Sequence, residues 1–152
     1  MTSRALLLAT AAAALLASGC GGDGDVPVST LCTEGAGPIA QALRAAPGES
    51  RLGDGTPLSA CIDGATTDAE LQNVGVAMTN AAEDLELRAP TDERAALELG
   101  YLVGAARRGA GSANAIQAEL VRRLERSANL DGATPASRRA IVAGLEAGER
   151  RG

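Results

Sequence analysis

The sequence predicts an all-α fold: a small antiparallel four-helix bundle over residues 67–148, preceded by a loop and short-helix segment at 31–66. Three observations carry this expectation. Thr67-Asp68-Ala69-Glu70 and Thr134-Pro135 are helix-start signatures. Between and after them, apolar residues recur at 3-4-3-4 spacing, the period of one helix face. Runs of alternating β-branched residues, which strands need, are missing. Helices joined by connections of a few residues favour antiparallel packing. Tyr101 is the only aromatic residue. The core must therefore be built from Leu, Val, Ile and Ala, and the helices must approach closely to bury enough surface.

The chain begins MTSRALLLATAAAALLASGCGG. Arg4 is followed by 13 uncharged residues, Ala5–Ala17, and then by Ser18 and Gly19 ahead of Cys20. A basic start, a short apolar run and a small-residue site form the pattern of an export signal. A membrane span, the other reading, needs about 20 apolar residues. Leu16-Ala17-Ser18-Gly19-Cys20 resembles the lipobox of bacterial lipoproteins, with Ala17 where leucine is most frequent. The resemblance covers the first 22 residues. It implies that residues 1–19 are a signal peptide removed in front of Cys20. It also implies that the Cys20 thiol receives a diacylglyceryl group whose fatty chains, such as palmitate, enter the membrane. The protein is then expected to be exported and lipid-anchored to the cell envelope. Gly21, in place of aspartate, implies the outer membrane where the host has one, and otherwise the outer face of the cytoplasmic membrane. Two or three acyl chains hold firmly where one holds only marginally. A plain secretory cut near Ser18-Gly19 is the alternative.

Residues 20–30, rich in Gly and Asp, read as a flexible tether, whose last ten residues span roughly 17 Å end to end. Asp23 and Asp25 serve solubility and spacing better than calcium, because a flexible segment makes a poor site. With Cys20 taken by lipid, Cys32 and Cys61 are left. In an oxidising envelope compartment such a pair reads as a disulfide. Closing a loop of roughly 30 residues stabilises by about 3–4 kcal/mol in the chain-entropy account. A redox or metal pair is the alternative, but there is no Cys-x-x-Cys and the chain has no histidine. Within 31–66, Gly37-Pro38 opens a short helix carrying Ile39 and Leu43, and Pro47-Gly48 stops it. Residues 48–66 read as loop.

The bundle follows. Thr67 caps the first helix, whose inward face is Leu71, Val74, Met78, Ala81 and Leu85 and whose end is set by Pro90. Thr91 caps the second, with Asp92 and Glu93 at its positive end and Arg107 and Arg108 at its negative end. Ala95, Leu99, Leu102 and Ala106 form its apolar stripe. Ala96, Gly100 and Gly104 form a second stripe of small residues. Each glycine costs about 1 kcal/mol in a helix interior, so a closely approaching helix backbone is expected to offset it. Charged Glu93, Arg94, Glu98 and Arg107 exclude a membrane helix pair. Tyr101 is expected in the core with its hydroxyl at the rim. Ser112 caps the third helix, with Ala113, Ile116, Leu120 and Leu124 inward. Pro135 opens the fourth, with Ile141, Val142 and Leu145 apolar and an end near Gly148.

The side-chain inventory argues against familiar enzymes. Without histidine or lysine, the commonest general base and the Schiff-base nucleophile are absent. No metal or catalytic motif and no cofactor site is expected. The clusters Glu83-Asp84-Leu85-Glu86 and Asp92-Glu93 leave a carboxylate-dependent cell-wall hydrolase as a minor reading. Charge is uneven: residues 20–99 carry a net of −10 and residues 100–152 a net of +4. The two halves either complement each other or leave solvated helix faces. The sharper alternative is an anionic-partner face at Arg122, Arg123 and Arg126, part of whose charge Glu119 balances. The expected function is thus a non-enzymatic, membrane-anchored envelope lipoprotein presenting a helical interaction domain. Its partners would be the membrane, through the lipid, and an envelope protein or cell-wall component, with no nucleic acid. A small-ligand module, holding a lipid or envelope metabolite between its helices, is the alternative.

Overall fold

The computed structural model describes residues 27–111 and 115–152. The expected signal peptide, Cys20, most of the tether, and Ser112 and Ala113 lie outside the described residues. A 3-10 turn, Thr30–Cys32, leads into six helices. They are α1 (Ala36–Leu43), α2 (Leu58–Asp63), α3 (Asp68–Glu86), α4 (Glu93–Ala110), α5 (Ala115–Ser127) and α6 (Pro135–Arg151). The fold is all-α. Among the described residues the only strand-like pairing is one isolated bridge between Arg51 and Pro57, and no helix is long and apolar enough to cross a membrane.

Local signals place most helix ends. The Thr67 hydroxyl accepts the Glu70 N–H at 3.2 Å, and the Glu70 carboxylate accepts the Thr67 N–H at 3.0 Å. That reciprocal pair is the capping box that starts α3. Thr134 accepts from the Ser137 N–H ahead of Pro135, which starts α6. The start of α4 lies one residue later than expected. Asp92, not Thr91, is the cap, because its carboxylate reaches the N–H groups of both Arg94 and Ala95, at 2.8 and 3.2 Å. An anionic acceptor at the positive end of a helix is worth more than a hydroxyl. α6 continues past Gly148 to Arg151.

α4 is the centre of the molecule, with 13 of its 18 residues buried. Its tightest partner is α6, two helices further along the chain. A Cβ added at Gly100 would sit 2.1 Å from the Ile141 carbonyl oxygen, and one at Gly104 would sit 2.1 Å from that of Leu145. From the other side, a Cβ at Gly144 would meet the Leu97 oxygen at 2.1 Å, and one at Gly148 the Tyr101 oxygen at 2.2 Å. Rising numbers on α4 meet rising numbers on α6, so the two helices run parallel and touch backbone to backbone. This is the close approach expected from the Gly100 and Gly104 stripe. Its partner stripe on α6 is Gly144 and Gly148. The inward face of α6 is accordingly Ser137, Gly144, Ala147 and Gly148. Ile141 and Leu145 are half-buried and Val142 is 57% exposed, because a face that lies on another backbone has no room for large side chains.

Residues 31–66 share the same core. Cys32 and Cys61 form the expected disulfide, with Cα atoms 5.5 Å apart and both residues buried. The stretch expected as loop contains α2 instead. Pro57 is extended and leads into the helix, and Leu58, Cys61 and Ile62 at i, i+3 and i+4 are fully buried. Six residues are too few for periodicity to declare a helix against a Gly- and Pro-rich background. α2 lies on the last turn of α4, where a Cβ at Gly109 would be 2.2 Å from the Ser59 carbonyl oxygen. Arg94 fastens the end of α1. Its guanidinium donates to the carbonyls of Arg44 (2.6 Å) and Ala46 (2.8 Å) while pairing with buried Glu98 at 2.8 Å. Tyr101 is fully buried rather than at a rim. Its hydroxyl accepts the N–H of buried Ser50 at 3.1 Å, so a backbone partner takes the place of water.

Candidate functional site

The inward face of α3 is as expected: Leu71, Val74, Met78, Ala81 and Leu85 are all buried. Its outward face is unusual. Every charge on α3 sits near an end, at Asp68 and Glu70 or at Glu83, Asp84 and Glu86, and residues 71–82 carry none. A surface helix normally turns charged residues to water. Here the exposed positions are Gln72, Asn73, Val76 and Asn80, with Val76 60% exposed.

α5 lies alongside. Leu120 and Leu124 are buried as expected, but Ile116 is 44% exposed. It belongs to the apolar stripe of α5 but borders an open groove against α3. Between the two helices lies an open groove of about 500 Å³. From α3 it is lined by Leu71, Gly75, Val76, Thr79 and the amides of Gln72, Asn73 and Asn80. From α5 it is lined by Ile116, Glu119, Leu120 and Arg123.

Of the expected anionic-partner residues, Arg123 lines this groove, and Arg122 and Arg126 join it around Glu119, which also lines it. Arg123 donates to Glu119 at 3.0 Å, Arg126 lies 3.9 Å from the same carboxylate, and Arg122 pairs with it as well. One carboxylate thus serves three exposed guanidiniums. The other acid of α5, Glu125, is held by Arg107, which also binds Glu149 at 3.0 Å. The hydrogen bond from Arg107 to Glu149, helped by the one to Glu125, raises the pKa of that guanidinium above its ordinary value. Local pairing therefore neutralises the Arg107 region and leaves the Arg122, Arg123 and Arg126 cluster with a positive excess.

The carboxylates considered for hydrolysis do not converge on a cleft. Glu83, Asp84 and Glu86 are exposed at the end of α3, Asp92 is a helix cap, and none lines the groove. Asp54 and Glu70 do have lowered pKa values. For Asp54 the Ser29 hydroxyl is the main cause, followed by the Thr56 N–H; for Glu70 it is the Thr67 N–H, followed by the Thr67 hydroxyl. Both carboxylates tie down local turns. Among the described residues no group of three or more His, Cys, Asp or Glu is placed to hold a metal ion. A second surface hollow of about 430 Å³ lies between the Asn129–Gly132 turn and α6, beside Arg138 and Val142.

Sequence reasoning reached the arginines but missed Gln72, Asn73, Val76 and Asn80. The available signal was negative: twelve consecutive uncharged residues on a helix of a strongly acidic segment. A comparison of the chain with protein-family models, with curated proteins and with solved structures finds no match.

Proposed function

We propose that this chain is a non-enzymatic envelope lipoprotein, held at the membrane by lipid on Cys20, whose helical bundle docks an envelope protein or a cell-wall component. The observation that carries the reading is the Leu16–Cys20 stretch, with its similarity to a lipobox. The Cys32–Cys61 disulfide supports it in two ways. It belongs with an oxidising compartment, and it accounts for the other two cysteines of the chain. The absence of histidine and lysine and the scatter of the acidic clusters favour a binding role over catalysis. The test is metabolic labelling with a fatty-acid probe followed by fractionation. The wild-type chain is expected to take up label and to sediment with membranes, and Cys20→Ser to do neither. A wild-type chain that is unlabelled and freely soluble overturns the proposal.

A second reading, a module for a lipid or envelope metabolite, draws on the groove between α3 and α5. Its volume of about 500 Å³ lies within the range of small-molecule sites. Richness in Gly and Ala does not add space for such a ligand, since the α4 and α6 glycines face backbone atoms. A thermal-shift screen with lipids and envelope metabolites separates the readings. A saturable shift supports the pocket, and none leaves docking ahead.

A further inference from the structure

We infer that the groove between α3 and α5 is the docking surface of the bundle, and that its occupant is an acidic, apolar-faced segment of a partner protein. This deepens the interaction-domain reading and rests on it. Two independent features of the groove agree. Its α3 side carries no charge and lines it with Leu71, Val76 and amide side chains, opposite Leu120 of α5. Its α5 side carries Arg123 and Glu119, and Arg122 and Arg126 share that single carboxylate with Arg123. A charge-poor face beside arginine is the composition of protein–protein interfaces. The arginine excess selects the sign of the partner, because a carboxylate meeting Arg123 or Arg126 gains a charge-assisted hydrogen bond while a lysine would be repelled. Apolar side chains of the partner would cover Val76 and Ile116. A lipid surface is the other anionic candidate, but a flat bilayer cannot follow a concave groove between two helices, whereas a peptide segment can.

The test uses the full chain carrying Cys20→Ser, so that neither acylation nor its absence affects the outcome. The probe is a fluorescein-labelled amphipathic peptide of leucine and glutamate, beside a copy with lysine in place of each glutamate. Anisotropy is expected to show saturable binding of the glutamate peptide, weakening as salt rises. Val76→Asp and Arg123→Glu should each weaken it by about tenfold or more. Arg139→Glu, the same charge change on an exposed α6 residue away from the groove, should stay within about twofold. Circular dichroism checks that each variant is folded. Equal binding of the lysine peptide, no binding of the glutamate peptide, or indifference to both groove substitutions overturns the inference. So does tight binding to phosphatidylglycerol vesicles that Arg123→Glu abolishes while the peptide fails to bind. Because the chain lacks the Cys20 thiol, failure here is distinct from failure of the lipid anchor, which the labelling experiment reads alone.

Discussion

Two helix pairs in this molecule follow opposite rules. α4 and α6 meet through glycines, with carbonyl oxygens of one helix standing where side chains of the other would begin. α3 and α5 are separated by side chains such as Leu120, and part of the space between them stays open to water. The glycine contact leaves no room for side chains where the two backbones touch. The side-chain contact leaves Val76 and Ile116 at the surface beside the arginine cluster. On the proposed docking role, the difference separates rigidity from recognition. A helix with no aromatic partners gains its packing from backbone proximity, and that part of the structure cannot adapt. The looser pair keeps the surface that a partner can cover.

The largest test of this contrast is Gly104→Val. The new side chain would start 2.1 Å from the Leu145 oxygen and 2.7 Å from the Glu149 nitrogen. Backbone atoms cannot move aside as a side-chain tip can, so a loss above about 4 kcal/mol in urea unfolding is expected, enough to unfold a small domain. A loss below about 1 kcal/mol would mean that the two helices are not locked together.

Replacing both Cys32 and Cys61 by Ser comes next. It should cost about 3–4 kcal/mol, because the released loop regains conformational freedom in the unfolded chain. Hydrogen exchange should show α2 loosening from Gly109 before the α4–α6 contact does.

Gly75→Ala is the counterpart of Gly104→Val in the other pair, and its sign should be reversed. A Cβ there would lie 3.6 Å from a Leu120 methyl group, an ordinary contact. Alanine should therefore stabilise by about 0.5–1 kcal/mol through helix propensity. Destabilisation would show that α3 and α5 are packed as tightly as α4 and α6.

The smallest expected effect is the acid sensitivity of Glu70, at the start of α3. Its pKa is lowered below the ordinary 4.5 by the Thr67 N–H and hydroxyl. A depressed carboxylate adds stability above its unfolded value and loses it as pH falls through the folded one. Wild type should thus lose more stability than Glu70→Gln on acidification through the carboxylate range. Parallel pH profiles would remove the capping box from the account of α3.

Much of this architecture was legible in the sequence. Thr67 with Glu70 and Thr134 with Pro135 mark helix starts, because a cap acts on N–H groups only two or three residues away. Leu71, Val74, Met78, Ala81 and Leu85 mark an inward face for the same reason: helical period is a local property. Of the candidate site, Arg122, Arg123 and Arg126 were legible as a charged face, whereas Val76 and the amides around it were not, since nothing local says which outward residues border a neighbouring helix. α2 was missed because its six residues are stabilised by burial against α4 and by the disulfide, not by their own propensity.

What the sequence by itself determined, then, is α1 and the four long helices, the caps of α3 and α6, and the cysteine pair. Only the tertiary structure decided which helices touch. Gly100 and Gly104 announced a close approach without naming the partner, and Gly144 and Gly148 became meaningful only once α6 lay parallel on α4. The same holds for the apolar stripes: Leu120 is covered, whereas Ile116 and Val142 are not. The physical reason is that propensity, capping and periodicity act within a few residues, while burial depends on surfaces brought together from distant parts of the chain.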